Sequence, residues 1–151
     1  MGKNKRYGRY GYKKNPKSPK GVIIFLIALA VIILDQITKK LFEHGFLGIK
    51  AVYNTGAGFS ILQGNNLGLL FFALMVLGAL FYFYDRFPKS RFFYIMIGLA
   101  IGGIIGNCID RIFLGHVIDF IDLGFWPVFN AADSAVVIGG IGAIIYYIRK
   151  G

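Results

Sequence analysis

The chain has 151 residues, 56% of them hydrophobic, with a mean hydropathy of +0.63, which excludes an ordinary water-soluble core and points to a membrane. Its single cysteine, Cys108, excludes an internal disulfide, and His44 and His116 lie near no second ligand in sequence, so neither a metal nor another cofactor is expected. A net charge of +10 raises nucleic acid as a partner, yet thirteen of the seventeen lysines and arginines fall on what reads as one side of a membrane, so none is expected.

Residues 1–20 hold eight of those basic side chains, with Tyr7, Tyr10 and Tyr12 among them. They read as a disordered cytoplasmic tail drawn to anionic headgroups, at about 1 kcal/mol per charge near the surface. The tail and the apolar run after it imitate a signal peptide, but Asp35-Gln-Ile-Thr-Lys-Lys40 contains no small-residue cleavage site. A retained first span over about 21–38 is the reading. A polar outer segment follows, then a second span over 66–84 and a basic turn containing Pro88. The third span covers 91–109. A second outer segment of about 111–127 precedes the fourth span, over 131–148. Spanning needs about 20 residues, with a range of roughly 17–25, so these slightly short runs recruit polar flanks. Four spans put both termini on the cytoplasmic, basic face.

The expected fold is therefore a mainly α membrane protein, with four transmembrane helices over residues 21–151 and a small extracytoplasmic β-containing cradle. The cradle is expected from two apolar–polar patches, Gly48-Ile-Lys-Ala-Val-Tyr53 and His116-Val-Ile-Asp-Phe-Ile121, which pair as strands. Gly98, Gly102 and Gly106 form one smooth face on span three, and Ala135, Gly139 and Ala143 one on span four. Such faces let membrane helices pack closely, which is expected to join the outer ends of these two spans.

Those ends carry the groups able to do chemistry. Asn107, Asp110 and Arg111 share a helix face, and Arg111 is expected to hold Asp110 ionised as a structural anchor. Asn130 and Asp133 stand three apart at the start of span four, where an acidic residue also serves as a cap. Asp119 lies between Val117-Ile118 and Phe120-Ile121, an apolar setting that raises a carboxyl pKa. Beside Asp133 it forms a pair that keeps one proton near neutral pH, as an aspartyl protease requires. Asp35, at the end of span one, reads either as an interface anchor or as a substrate contact. Gly56 and Gly58 suit a sharp turn or a backbone lying against a ligand. Ser60 and Ser134 have no histidine partner for serine chemistry, and Glu43 and Asp122 read as solvated charges.

Five segments in order carry a resemblance. They are Leu34-Asp-Gln-Ile-Thr-Lys39, Asn54-Thr-Gly-Ala-Gly-Phe-Ser60, Gly102-Gly-Ile-Ile-Gly-Asn-Cys-Ile-Asp-Arg111, Val117-Ile-Asp-Phe-Ile121 and Phe129-Asn-Ala-Ala-Asp-Ser134. The chain from about residue 22 to 150 resembles the lipoprotein signal peptidases (signal peptidase II), bacterial membrane aspartyl proteases. Gly58, Cys108 and Ala131 depart from the residues common there, without altering a proposed catalytic group. The resemblance implies Asp119 and Asp133 as the catalytic dyad, with Asp35, Lys39, Asn54, Gly56, Asn107, Asp110, Arg111 and Asn130 supporting it or binding substrate. It implies diacylglyceryl-modified prolipoproteins as substrates, cut before the lipidated cysteine, at the extracytoplasmic face of the bacterial inner membrane. A monomer among membrane lipids is expected. The rival readings are a small ion- or proton-coupled transporter and a non-catalytic assembly factor. The first is disfavoured because the acidic residues gather at one face rather than at the midplane.

Overall fold

The computed structural model describes residues 19–56 and 64–150. The basic tail expected over 1–20 lies outside these except for its last two residues, and so does the 57–60 part of the glycine-containing segment. Four α-helices dominate: α1 (Lys20–Glu43), α2 (Asn66–Tyr82), α3 (Arg91–Phe113) and α4 (Ala131–Lys150). Two three-residue strands, β1 (Val52–Asn54) and β2 (Val117–Asp119), pair antiparallel with Val52 opposite Asp119. The two apolar–polar patches thus do meet as strands, although the first begins only at Val52. Before it, residues Phe46–Gly48 make a 3-10 turn, entered through Gly45 at φ 76°.

Among the described residues, α1, α3 and α4 are long and apolar enough to cross a membrane, while α2 is a shorter apolar helix of 17 residues. Outward side chains such as Phe25, Phe71, Ile141 and Ile148 are largely exposed, a surface suited to hydrocarbon rather than water. The chain is a mainly helical, membrane-embedded protein with a small two-stranded sheet.

Helix α1 runs to Glu43 and α3 to Phe113, each beyond the end expected from hydropathy. The reason is internal: the polar residues that cut off the apolar runs bury themselves against one another and leave the helical hydrogen bonding intact.

Helix α3 sits between α1 and α4, and its glycines explain how. A Cβ on Gly98 would lie 2.8 Å from Ile27, one on Gly102 2.7 Å from Val31, and one on Gly106 2.7 Å from Asp35 Oδ2. The smooth face of Gly98, Gly102 and Gly106 therefore packs against α1, not against α4 as expected. Gly103, turned about 100° from Gly102, meets Ala132 and Val136 of α4, and Gly139 of α4 returns the contact at Met96 and Ala100. The core between the helices is filled by Ile24, Ala28, Phe93, Tyr94, Ile97, Ile101 and Ala143. The outer ends of α3 and α4 do come together, with the end of α1 as a third partner. Helix α2 joins this end where Asn66 Nδ2 donates to the Arg111 carbonyl at 3.0 Å.

Candidate active site

Where α1, α3 and α4 converge, the interior turns polar. The largest fully buried side chains include Lys39, Asn130, Asp35, Asp110 and Asp119. Residues of these types are rarely buried without partners, and here each has several.

The site begins with an ion-paired triad. Lys39 Nζ lies 2.7 Å from Asp35 Oδ2 and 2.8 Å from Asp110 Oδ2, and donates to Asn107 Oδ1 at 3.0 Å. All three ammonium protons are used. Asp110 also accepts from Gln36 Nε2 at 2.9 Å and from the Ile118 backbone N–H at 3.2 Å. Its cation is therefore Lys39, one helix away, and not the adjacent Arg111. Successive helical residues point about 100° apart, so Arg111 faces a different neighbour and donates to the Gly56 carbonyl at 3.2 Å. Asp35 is neither an interface anchor nor exposed to a substrate. Its relative exposure is 0%, and its Oδ1 accepts the Ala132 N–H at 2.9 Å, stabilising the positive end of α4.

Asn130 and Asp133 form a reciprocal cap at that same end. Asn130 Oδ1 accepts the Asp133 N–H at 2.9 Å and Asp133 Oδ2 accepts the Asn130 N–H at 3.2 Å. Capping thus accounts for one oxygen of Asp133. The other, Oδ1, accepts Asn107 Nδ2 at 2.7 Å.

Asp119, at the end of β2, is held by two amides, Asn54 Nδ2 at 2.9 Å and Asn130 Nδ2 at 2.7 Å. In each asparagine the amide orientation follows from the partner of its oxygen. Gly56 N–H donates to Asn54 Oδ1 at 2.8 Å, Asp133 N–H donates to Asn130 Oδ1, and Lys39 donates to Asn107 Oδ1. Each nitrogen is thereby aimed at a carboxylate. Burial pushes the Asp119 carboxyl up to about 6 and the nearby Asp133 charge adds to the rise, while hydrogen bonds from Asn54 and Asn130 oppose it.

All ten residues singled out from the sequence join one network, from Asp35 and Lys39 through Asn107, Asp110 and Asn130 to Asp119, Asp133, Asn54, Gly56 and Arg111. The sequence reading missed Gln36, and it placed Gly106 on a packing face without its partner, Asp35, which occupies the space of the missing side chain. Gln36 lies beside Asp35 in sequence, but its contact with Asp110 is not visible without the fold. Ser134 Oγ donates to the Asn130 carbonyl at 3.1 Å, and Ser60 lies outside the described residues. No three of His, Cys, Asp and Glu among the described residues are placed to hold a metal ion.

A family profile described as Signal peptidase (SPase) II matches residues 27–149. The chain belongs to the signal peptidase II family. Its function is therefore that of a lipoprotein signal peptidase, a protease, and neither transport nor non-catalytic assembly is supported. Among its relatives in this family, the lipoprotein signal peptidase of Syntrophomonas wolfei is 43% identical over 82% of this chain and 91% of its own length. That of a Janthinobacterium species is 39% identical over 82% and 87%. A solved structure described as a bacterial membrane enzyme, determined by the in meso method, aligns at a TM-score of 0.75 and 33% identity, covering 83% of this chain and 87% of that one.

Proposed function

We propose that this signal peptidase is an aspartic endopeptidase in which Asp119 and Asp133 are the catalytic pair. Its substrates are diacylglyceryl-modified prolipoproteins, cut on the amino side of the lipidated cysteine. The observation that carries this reading is the placement of two carboxylates in one hydrogen-bonded network, each aimed by asparagine amides, with Asp119 buried and its carboxyl raised to about 6. Such a pair retains one proton near neutral pH and titrates as a unit.

In the reaction the ionised member takes a proton from water, whose oxygen attacks the scissile carbonyl carbon. The protonated member gives its proton to the carbonyl oxygen, forming a tetrahedral diol. Collapse breaks the carbon–nitrogen bond as a proton passes to the departing amine. The signal peptide leaves with a new carboxyl end, and the lipoprotein keeps a free amino group on its modified cysteine. The triad of Asp35, Lys39 and Asp110 touches no reacting atom in this scheme. It positions Asn107 and the start of α4, while Arg111 and Gly56 hold the edge of the site.

In the membrane, all four helices span. Helix α2 lies at the short end of the range of roughly 17–25 residues, extended by its polar flanks. Both termini face the cytoplasm, where the basic tail of residues 1–20 meets anionic headgroups, and the dyad faces outward. The peptidase domain is residues 21–151, working as a monomer. A lipidated signal peptide can then arrive laterally, keeping its acyl chains in hydrocarbon while the scissile bond meets water.

The test is cleavage of a diacylglyceryl-modified prolipoprotein by the purified chain in detergent, beside Asp119→Asn and Asp133→Asn. Wild type cuts before the modified cysteine, and each variant falls by at least about a hundredfold. Cleavage persisting in both variants would sink the dyad assignment.

A further inference from the structure

Helix α2 is the least attached of the four, and none of its residues is buried. An apolar cavity lies on each of its flanks, and both open at the end of the bundle remote from the dyad, the first reaching inward to Ile32 and Ile105. One, of about 460 Å³, opens between α1, α2 and α3, and the other, of about 510 Å³, between α2, α3 and α4. Among the described residues, this end carries a single carboxylate, Asp85, against Lys20, Arg86, Lys89, Arg91, Arg149 and Lys150.

The one carboxylate is already taken. Lys20 Nζ pairs with Asp85 at 3.0 Å and lies 4.0 Å from the centre of the Tyr84 ring, beside the smaller cavity. Arg86 has no acidic partner among the described residues. Its guanidinium lies 5.4 Å from the Phe83 ring centre and 6.0 Å from that of Tyr82. Among the described residues it is the sole charged group lining the larger cavity, which is otherwise walled by apolar residues including Val76, Ile97, Ala143 and Ile144. Its guanidinium makes no hydrogen bond or ion pair among the described residues, and its edges match a phosphate in bidentate geometry.

We propose that the cavity between α2, α3 and α4 is a site for one anionic phospholipid, its phosphate on Arg86 and an acyl chain between α2 and the α3–α4 pair. A cation at the mouth of an apolar slot matches an amphiphile with an anionic head, and basic pockets between membrane helices bind such lipids. The smaller cavity lacks this match because Lys20 beside it is already neutralised.

The test is native mass spectrometry of the full chain in detergent, equilibrated with equal amounts of phosphatidylglycerol and phosphatidylcholine of identical acyl chains. Wild type should retain one lipid with a preference of about fivefold or more for phosphatidylglycerol. Arg86→Gln should abolish the preference, and Ala79→Trp, which fills the slot from the exposed side of α2, should lower retention of both lipids. Prolipoprotein cleavage by each variant reports that fold and dyad are intact. Equal retention of the two lipids by wild type, an unchanged preference in Arg86→Gln, or undiminished retention in Ala79→Trp would each overturn the site.

Discussion

Lys39→Met tests the buried triad most directly. The ammonium is 2% exposed and its two carboxylate partners are 2% and 0% exposed, at 2.8 and 2.7 Å. A methionine of similar length keeps the packing but strands both carboxylates in the interior. Breaking a buried pair by removing one partner costs about 3–5 kcal/mol, because the uncompensated charge remains. Asn107 also loses the donor that fixes its amide, which weakens the aimed hydrogen bond to Asp133. A hydrogen bond to a charged group is worth about 1.5–3 kcal/mol, so cleavage should fall by roughly tenfold to a hundredfold even where the variant is folded. The assay is unfolding in detergent followed by circular dichroism, with cleavage measured below the transition. Adding Asp35→Asn to Lys39→Met should recover at least about 1 kcal/mol, because it removes one of the stranded charges. A Lys39→Met variant within about 1 kcal/mol of wild type would refute this account of the triad. So would a double variant whose losses simply add.

The raised Asp119 carboxyl fixes a pH dependence. As pH rises through about 6 the dyad gives up the one proton it shares, and kcat/KM should drop, an alkaline limb read from a pH–rate profile. Removing the Asn54 amide with Asn54→Ala takes away a bond that lowers this carboxyl, so the limb should move to higher pH; a move downward would contradict the assignment. The same group affects stability with a definite sign. Because its folded value lies above the ordinary 3.8, its favourable contribution is full below pH 3.8 and is lost as pH rises through about 6, measurable as a falling unfolding temperature. Gly106→Ala forces a Cβ to within 2.7 Å of Asp35 Oδ2 and should cost about 1–3 kcal/mol, whereas Gly78→Ala meets nothing within 4 Å and should be neutral or slightly stabilising in the same unfolding assay. Asn130→Ala removes both the α4 cap and a donor to Asp119, so it should lower stability by about 1 kcal/mol and cleavage by a much larger factor.

Much of this protein was legible in its sequence because hydrocarbon imposes simple rules. Long apolar runs must become helices, since no other open segment satisfies its backbone there, and ionisable residues at their ends must serve some purpose. Those rules place the helices and single out Asp35, Asp110, Asp119 and Asp133, while the alternation of two short apolar–polar patches foresees β1 pairing with β2. The sequence pattern could not decide which helix each small face would meet. Gly102 and Gly103 are neighbours in the chain, yet one packs against α1 and the other against α4, because one residue of helical advance turns the backbone by about 100°. The same rotation gives Asp110 to Lys39 rather than to Arg111, and the packing of α3 on α1 makes Asp35 an internal cap for α4. Residue types fixed what chemistry was available. The packing of three helices and the strand pair fixed which amide aims at which carboxylate, because those hydrogen bonds join residues up to 74 positions apart, beyond the reach of any local pattern.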